Sequence, residues 1–314
     1  MSHKIVVAFG GKELQSARNI ASAEDQIKVV KDLAEKLAEI SARGYDLGIV
    51  HGNGPQVGRI MLASETSKDI TPQMPFDVCG AMSQGYIGYH IQQALKYALN
   101  LRGINVPVVS VATQIIVDEK DPAFNNPTKP IGPHYTEEQA NEYKEKLGYD
   151  IVNDAPGSFR RIVASPMPKK IVEIASIKQL WEKCVVICCG GGGIPVIENA
   201  DGTYTGVEAV IDKDHSAELL AENVSAEVLI ILTDVEKVSL NYGKENQVDL
   251  DKLNLKEASK YIEEGQFPAG NMLPKVEACM RFVRSNPTKK AIITSLDKVV
   301  DALDGKTGTV FSFA

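Results

Sequence analysis

Short apolar runs recur along this chain, and stretches of helical period separate them. Residues 5–9, 47–50 and 185–189 are near-continuous apolar runs and read as strands. Between the first two, residues 21–43 carry Ile27, Val30, Ala34, Leu37 and Ser41 on one face with charges elsewhere, and Gly44 follows as a C-cap, which predicts a helix. Residues 76–102 predict a long helix stopped before Gly103, and 104–112 a strand that tolerates Pro107 near its start. Farther on, strands are expected at 170–174, 184–189, 226–232, 291–294 and 309–313, with a hairpin-like segment at 202–210. Helices are expected from about Lys213, over 254–264, where Asn254 and Glu257 have capping-box spacing, and over 273–284. This alternation predicts an α/β fold with a mostly parallel sheet. There is no internal repeat, low-complexity tract or obvious linker, so two lobes of one continuous sheet are expected, residues 1–215 and 216–314.

The middle of the chain breaks the pattern. Residues 118–133 hold four prolines and two asparagines and cannot form a regular helix or a central strand. Thr136-Glu137-Glu138-Gln139 then opens a helix charged nearly all round. Residues 118–162 therefore read as an excursion from the main sheet, either a small protruding lid or a plain surface insertion.

The three apolar runs named first all end in glycine. Phe9 leads into Gly10-Gly11, Val50 into His51-Gly52-Asn53-Gly54-Pro55, and Cys189 into Gly190-Gly191-Gly192-Gly193. One sheet presenting several bare backbone loops at its carboxyl edge would suit phosphate or another small anion, because glycine lets backbone N–H groups approach a ligand closely.

Composition narrows the classes. With 34 basic and 41 acidic residues the net charge is −7, which argues against nucleic acid as the main partner. No apolar stretch is long enough to cross a membrane, and residues 1–4 pass at once into a strand-like run, so neither a leader nor a membrane partner is expected. Five cysteines, three of them within 184–189, predict free thiols and a reducing cytoplasm. A metal role for Cys188-Cys189 lacks any C-x-x-C or H-x-x-x-H partner.

Familiar phosphate motifs do not fit. Gly52-Asn53-Gly54 and Gly190-Gly191-Gly192 both lack the third glycine of the dinucleotide fingerprint. Gly305-Lys306-Thr307 matches the end of a P-loop, but Val300 stands where its first glycine belongs. Phosphoryl transfer between two anions still needs cations and backbone donors around the developing charge. Three lysines stand in rigid glycine- or proline-flanked turns: Lys129 between Pro127 and Pro130, Lys213 at a helix start, and Lys275 after Gly270-Asn271-Met272-Leu273-Pro274. Asp212 and Asp214 flank Lys213. They read as a helix cap and first-turn acid, or as an aspartate that orients two lysines, and both readings can hold together.

On residues 6–11, 51–58, 77–86, 127–133, 190–196, 206–214, 233–238, 241–244 and 274–278, with Arg160-Arg161, the chain resembles the carbamate kinases of the amino-acid kinase superfamily over nearly its whole length. The resemblance implies a three-layer open sandwich with a mostly parallel central sheet, the amino-acid kinase fold, and a small protruding subdomain matching 118–162. It implies a homodimer that interconverts carbamoyl phosphate plus ADP with carbamate plus ATP, using Mg²⁺, in arginine or ureide breakdown. The N-terminal lobe would bind the carbamoyl substrate and the C-terminal lobe the nucleotide. By matching positions, Gly10, Gly11, Gly52 and Asn53 would bind carbamate or the transferred phosphoryl. Lys129, Lys213, Asp214 and Lys275 would be catalytic, and Asp234, Val238, Tyr242, Gly270 and Met272 would bind nucleotide; no protein metal ligand is assigned.

Two positions depart from the family pattern. Lys12 replaces the usual asparagine of the first loop, and Leu273 replaces a glycine of the later one. Both fall at the expected site, so a kinase with another small acceptor, or a non-catalytic nucleotide-binding relative, stands as the alternative.

Overall fold

The computed structural model describes residues 3–10 and 23–314. Strand β1 (His3–Phe9) shows how the layers arise. Its alternate residues Ile5, Val7 and Phe9 enter one hydrophobic cluster, while Val6 and Ala8 enter another on the opposite face. A strand buried on both sides lies in the middle of a sheet covered by helices, and β1 does so. The main sheet has eight strands in the order β15 (Lys252–Asn254), β17 (Thr309–Ser312), β16 (Lys290–Ser295), β12 (Val228–Thr233), β1, β2 (Tyr45–His51), β9 (Val185–Ile187) and β3 (Val108–Ser110). Every neighbouring pair is parallel except β16 with β17.

On one face lie α1 (Ala23–Ala42), α3 (Phe76–Leu101) and α9 (Val299–Leu303), which contribute Leu33, Leu37, Ile91, Leu95 and Val299. On the other lie α5 (Ile174–Trp181), α6 (Lys213–Asn223), α7 (Leu255–Glu263) and α8 (Met272–Ser285), which contribute Trp181, Leu220, Ala258 and Phe282. This is the three-layer α/β sandwich expected from the pattern. No helix among the described residues is long and apolar enough to cross a membrane.

A second sheet, β11 (Tyr204–Gly206), β10 (Ile194–Glu198), β4 (Gln114–Val117) and β8 (Pro168–Ile171), continues the chain after the glycine-rich loop. The hairpin expected at 202–210 is in fact β10 with β11, turning at residues 199–203; Val207 N–H still donates to Pro195 C=O at 3.1 Å, and residues 208–210 lie beyond the ladder. The strand expected at 104–112 pairs only over Val108–Ser110. Proline has no N–H to offer, and Pro107 joins through its carbonyl, which accepts Val185 N–H at 2.9 Å.

The irregular middle forms a third sheet of β5 (Lys129–Tyr135), β7 (Ser158–Val163) and β6 (Ile151–Ala155), crossed by α4 (Glu137–Leu147). The prolines of β5 fall on an edge strand, where a missing donor costs no ladder bond. Thr136 caps α4 in the expected capping box, and Gly148 ends it in the left-handed conformation. This sheet docks on α2 (Gly54–Thr66) through Val57 and Met61 against Ile131 and Val163. A small hairpin of β13 (Val238–Leu240) and β14 (Val248–Leu250) follows β12.

Candidate active site

Parallel strands end together, so β1, β2, β9 and β12 deliver Gly10, Gly52, Gly190 and Asp234 to one edge of the main sheet. The crossovers return helices antiparallel to the strands, which brings the N-termini of α6 and α8 to the same edge. Gly11 and Lys12 lie outside the described residues.

The glycine loops are not bare. Gly52 N–H donates to Phe9 C=O at 2.7 Å, and its carbonyl accepts His51 Nδ1–H at 3.0 Å. Both backbone groups of Gly52 are therefore committed to the fold. Asn53 Nδ2 donates to Ser83 Oγ at 2.8 Å, leaving its second amide hydrogen for a ligand. The four-glycine run serves close packing: a Cβ at Gly190 would overlap the His51 ring, at Gly191 the Asn53 amide, and at Gly192 the carbonyl oxygen of Ile211. Gly191, Gly192 and Gly193 all have positive φ, as glycine permits without strain. The run clamps the second loop against the residue preceding Asp212.

Beside this clamp is a charged centre. Asp214 is 2 % exposed; its Oδ1 accepts Lys213 Nζ at 2.7 Å and its Oδ2 accepts Lys275 Nζ at 2.9 Å. Lys213 opens α6 and Lys275 lies in the first turn of α8, where a helix dipole favours anions over cations. Placing lysines there conflicts with local preference, and such conflicts mark functional positions. Burial opposes ionisation of Asp214, yet the two ammonium groups outweigh it and hold the carboxyl below its ordinary range. Burial and the nearby Lys275 charge lower Lys213 against the pull of Asp214. Lys275 is also penalised by burial, but contact with Asp214 raises it above the ordinary lysine range. One carboxylate thus accepts from two lysines, and their environments push Lys275 up and Lys213 down.

Lys129, the first residue of β5, joins from the third sheet, with Nζ 2.9 Å from Asp212 Oδ2. Asp212 is the N-cap of α6, and its Oδ1 accepts Asp214 N–H at 3.0 Å. Its carboxyl, too, is held low: burial raises it, and Lys129 and Lys213 more than compensate. Of the two aspartates around Lys213, Asp214 thus holds two lysines and Asp212 combines capping with a third. All four residues expected to be catalytic converge here.

The residues expected at the nucleotide divide. Asp234, Tyr242 and Gly270 are exposed and Met272 is half-buried. The loops carrying them meet, since Asn241 N–H donates to Gln266 Oε1 at 3.0 Å. Val238 is fully buried in the main core and gives its N–H to Thr309 Oγ1 at 2.8 Å, so its side chain supports this face from behind. Leu273 continues α8 and packs on the same core.

Two residues at this edge carry contacts that the sequence did not assign to them. Gln84 of α3 donates to the carbonyls of Gly190 and Thr113 at 2.9 and 3.2 Å and accepts Thr113 N–H at 2.7 Å. Its signal was a polar residue in register with the buried Ile87 and Ile91. Ser216 Oγ ties α6 to the Gly192 carbonyl at 2.7 Å.

Residues 3–295 match the Amino acid kinase family. The chain is 49% identical over 310 residues to a carbamate kinase of Clostridium perfringens, covering 98% of each chain, and 49% identical over 312 residues to one of Pyrococcus horikoshii, covering 98% and 99%. The structure of a carbamate kinase from Giardia lamblia bound to AMP-PNP superimposes with a TM-score of 0.94 at 40% identity, covering 100% of this chain and 99% of that one. A lysine–aspartate centre at the carboxyl edge of a mostly parallel sheet, together with these likenesses along the whole chain, means that this protein belongs to the amino acid kinase family, among its carbamate kinases.

Proposed function

We propose that this chain is a carbamate kinase that transfers a phosphoryl group reversibly between carbamoyl phosphate and ADP, giving ATP and carbamate. The observation that carries the reading is Asp214, one buried carboxylate holding Lys213 and Lys275 at hydrogen-bond distance where the glycine loops end. Donor and acceptor are both anions, so the barrier falls when fixed positive charge meets the oxygens of the moving group. Lys213 is placed to bridge the transferring phosphoryl, Lys275 to hold the terminal nucleotide phosphates, and Lys129 to reach in from the third sheet. Asp214 keeps two like charges together without taking a proton from either. No covalent intermediate is required; positioning and charge neutralisation carry the rate.

The amide of Asn53, with Gly10 and Gly11, would receive the carbamoyl end, and Gly52 would shape that loop. Asp234, Tyr242, Gly270 and Met272 would line the nucleotide face, over Val238. On this reading residues 1–215 bind the carbamoyl substrate and 216–314 the nucleotide, meeting along the β1–β12 seam. Both oxygens of Asp212 and of Asp214 already accept hydrogen bonds, so Mg²⁺ would be carried chiefly by nucleotide phosphates, where it neutralises charge. The free thiols fit a reducing cytoplasm, and carbamoyl phosphate from arginine or ureide breakdown would supply the substrate.

A homodimer is also proposed. Val78, Met82, Gly85, Tyr89, Gln93, Tyr97 and Leu101 form an exposed, uncharged ridge along α3 at a spacing of three or four residues. Such a ridge can interdigitate with itself about a two-fold axis.

Purified protein given ADP, Mg²⁺ and carbamoyl phosphate should form ATP, and Lys213→Ala should lose at least about a hundredfold in kcat. Tight nucleotide binding without any ATP formation would falsify the proposal and favour a sensor.

A further inference from the structure

Lys129 and Asp212 are brought together by more than their charges. Lys129 pairs in register with Val163 of β7, the next residue Ala164 bridges to Ala209, and Val210 N–H donates to Ala164 C=O at 3.0 Å. This short ladder ends two residues before Asp212. The aspartate is fixed independently, because its Oδ1 caps α6, so its Oδ2 points in one direction, toward Lys129 Nζ at 2.9 Å. The Lys129 side chain is 33% exposed and that of Asp212 only 14%, so the lysine keeps contact with solvent while its carboxylate partner is largely enclosed. Three ammonium groups, Lys129, Lys213 and Lys275, are held in this region by two carboxylates, Asp212 and Asp214. Without Asp212 the third lysine would meet two like charges and a single shared carboxylate.

We propose that Asp212 is the positioning residue for Lys129: it presents this lysine of the third sheet at the phosphoryl site, as Asp214 presents Lys213 and Lys275. The inference deepens the carbamate kinase reading and rests on it. Asp212 touches no reacting atom; it fixes where the one lysine delivered by a separate sheet stands before substrate arrives, and leaves the solvent-exposed part of that lysine for the phosphate.

The test separates the ion pair from the helix cap. Asparagine caps helices about as well as aspartate, so Asp212→Asn keeps the hydrogen bond to Asp214 N–H and removes the charge. ATP formation from carbamoyl phosphate is measured for wild type, Asp212→Asn, Lys129→Met and the double variant, with the urea midpoint of each. The expected result for Asp212→Asn is a loss of roughly ten- to a hundredfold in kcat/KM, with the midpoint lowered by the lost ion pair and a cooperative transition retained. Lys129→Met should lose at least as much, and the double variant should be no worse than Lys129→Met alone. Labelling with an amine-specific reagent, read by mass spectrometry without substrate, should show Lys129 modified faster in Asp212→Asn than in wild type.

Full activity of Asp212→Asn, or a double variant in which the two losses multiply, would overturn the positioning role while leaving the carbamate kinase reading intact. Unchanged labelling of Lys129 would also overturn it. Full activity of Lys129→Met would remove this lysine from the site and the inference with it. A wild-type chain that forms no ATP would instead overturn the underlying reading, taking the inference with it.

Discussion

His51 shows how one side chain near the site carries a pH dependence for the whole protein. It is fully buried, its Nδ1–H is held by the Gly52 carbonyl, and burial lowers it from 6.5 to about 4. The folded form therefore takes up its proton later than the unfolded chain does. Stability from this group is complete above pH 6.5 and is lost as pH falls toward 4, a change of roughly 3 kcal/mol for one such histidine. His215, lowered to about 4 by burial and by Arg281, acts in the same window. Urea unfolding at a series of pH values should show stability falling between pH 6.5 and 4, and His51→Gln should flatten part of that slope. An unaltered slope in the variant would mean that the other titrating groups account for it.

Among elements, the loop after β9 is constrained at four successive residues. Gly192 has a φ of 92°, and any Cβ there would overlap the Ile211 carbonyl oxygen, one residue before the α6 cap. Alanine at this position incurs both left-handed strain and displacement of the residue that leads into Asp212 and Lys213. Gly192→Ala should lower unfolding free energy by at least about 2 kcal/mol and reduce ATP formation more than this instability explains. Calorimetry together with the coupled assay checks both parts. At Gly148, which ends α4 in the left-handed region with open space around it, the strain stands alone, with no neighbour to displace. The two sites illustrate different uses of glycine, a close approach in one and a turn in the other. The glycine run holding Gly192 was legible in the sequence, but that Gly192 presses on Ile211 while Gly148 stands in open space was not.

For the whole molecule, the ridge on α3 makes the assembly testable. Sedimentation equilibrium should give a dimer, and Tyr89→Glu combined with Tyr97→Glu should give monomers that still fold, since both rings are exposed in the single chain. A monomeric wild type would remove the homodimer from the proposal. The charged centre also belongs to this scale. Asp212, Lys213 and Asp214 are contiguous, but Lys129 lies 83 positions from Asp212, and Lys275 lies 61 positions from Asp214. Only the crossover connections and the docking of the third sheet on α2 bring them within 3 Å.

Residue pattern alone determined the α/β class, the order of most strands and helices, the irregular middle and the glycine-ended strands, because hydrophobic period, capping residues and proline act over a few neighbours. Pattern alone also marked the lysines as candidates, since their flanking glycines and prolines are local. Tertiary structure decided what those residues do to one another. It showed that Gly52 has no free backbone donor and that Val238 faces the core. It also made Gln84 a clamp, and divided three lysines between two aspartates. Those outcomes depend on distances between segments remote in the chain, and hydrogen bonds and ion pairs reach only about 3 to 4 Å, so they exist only after the sheet has aligned its carboxyl ends.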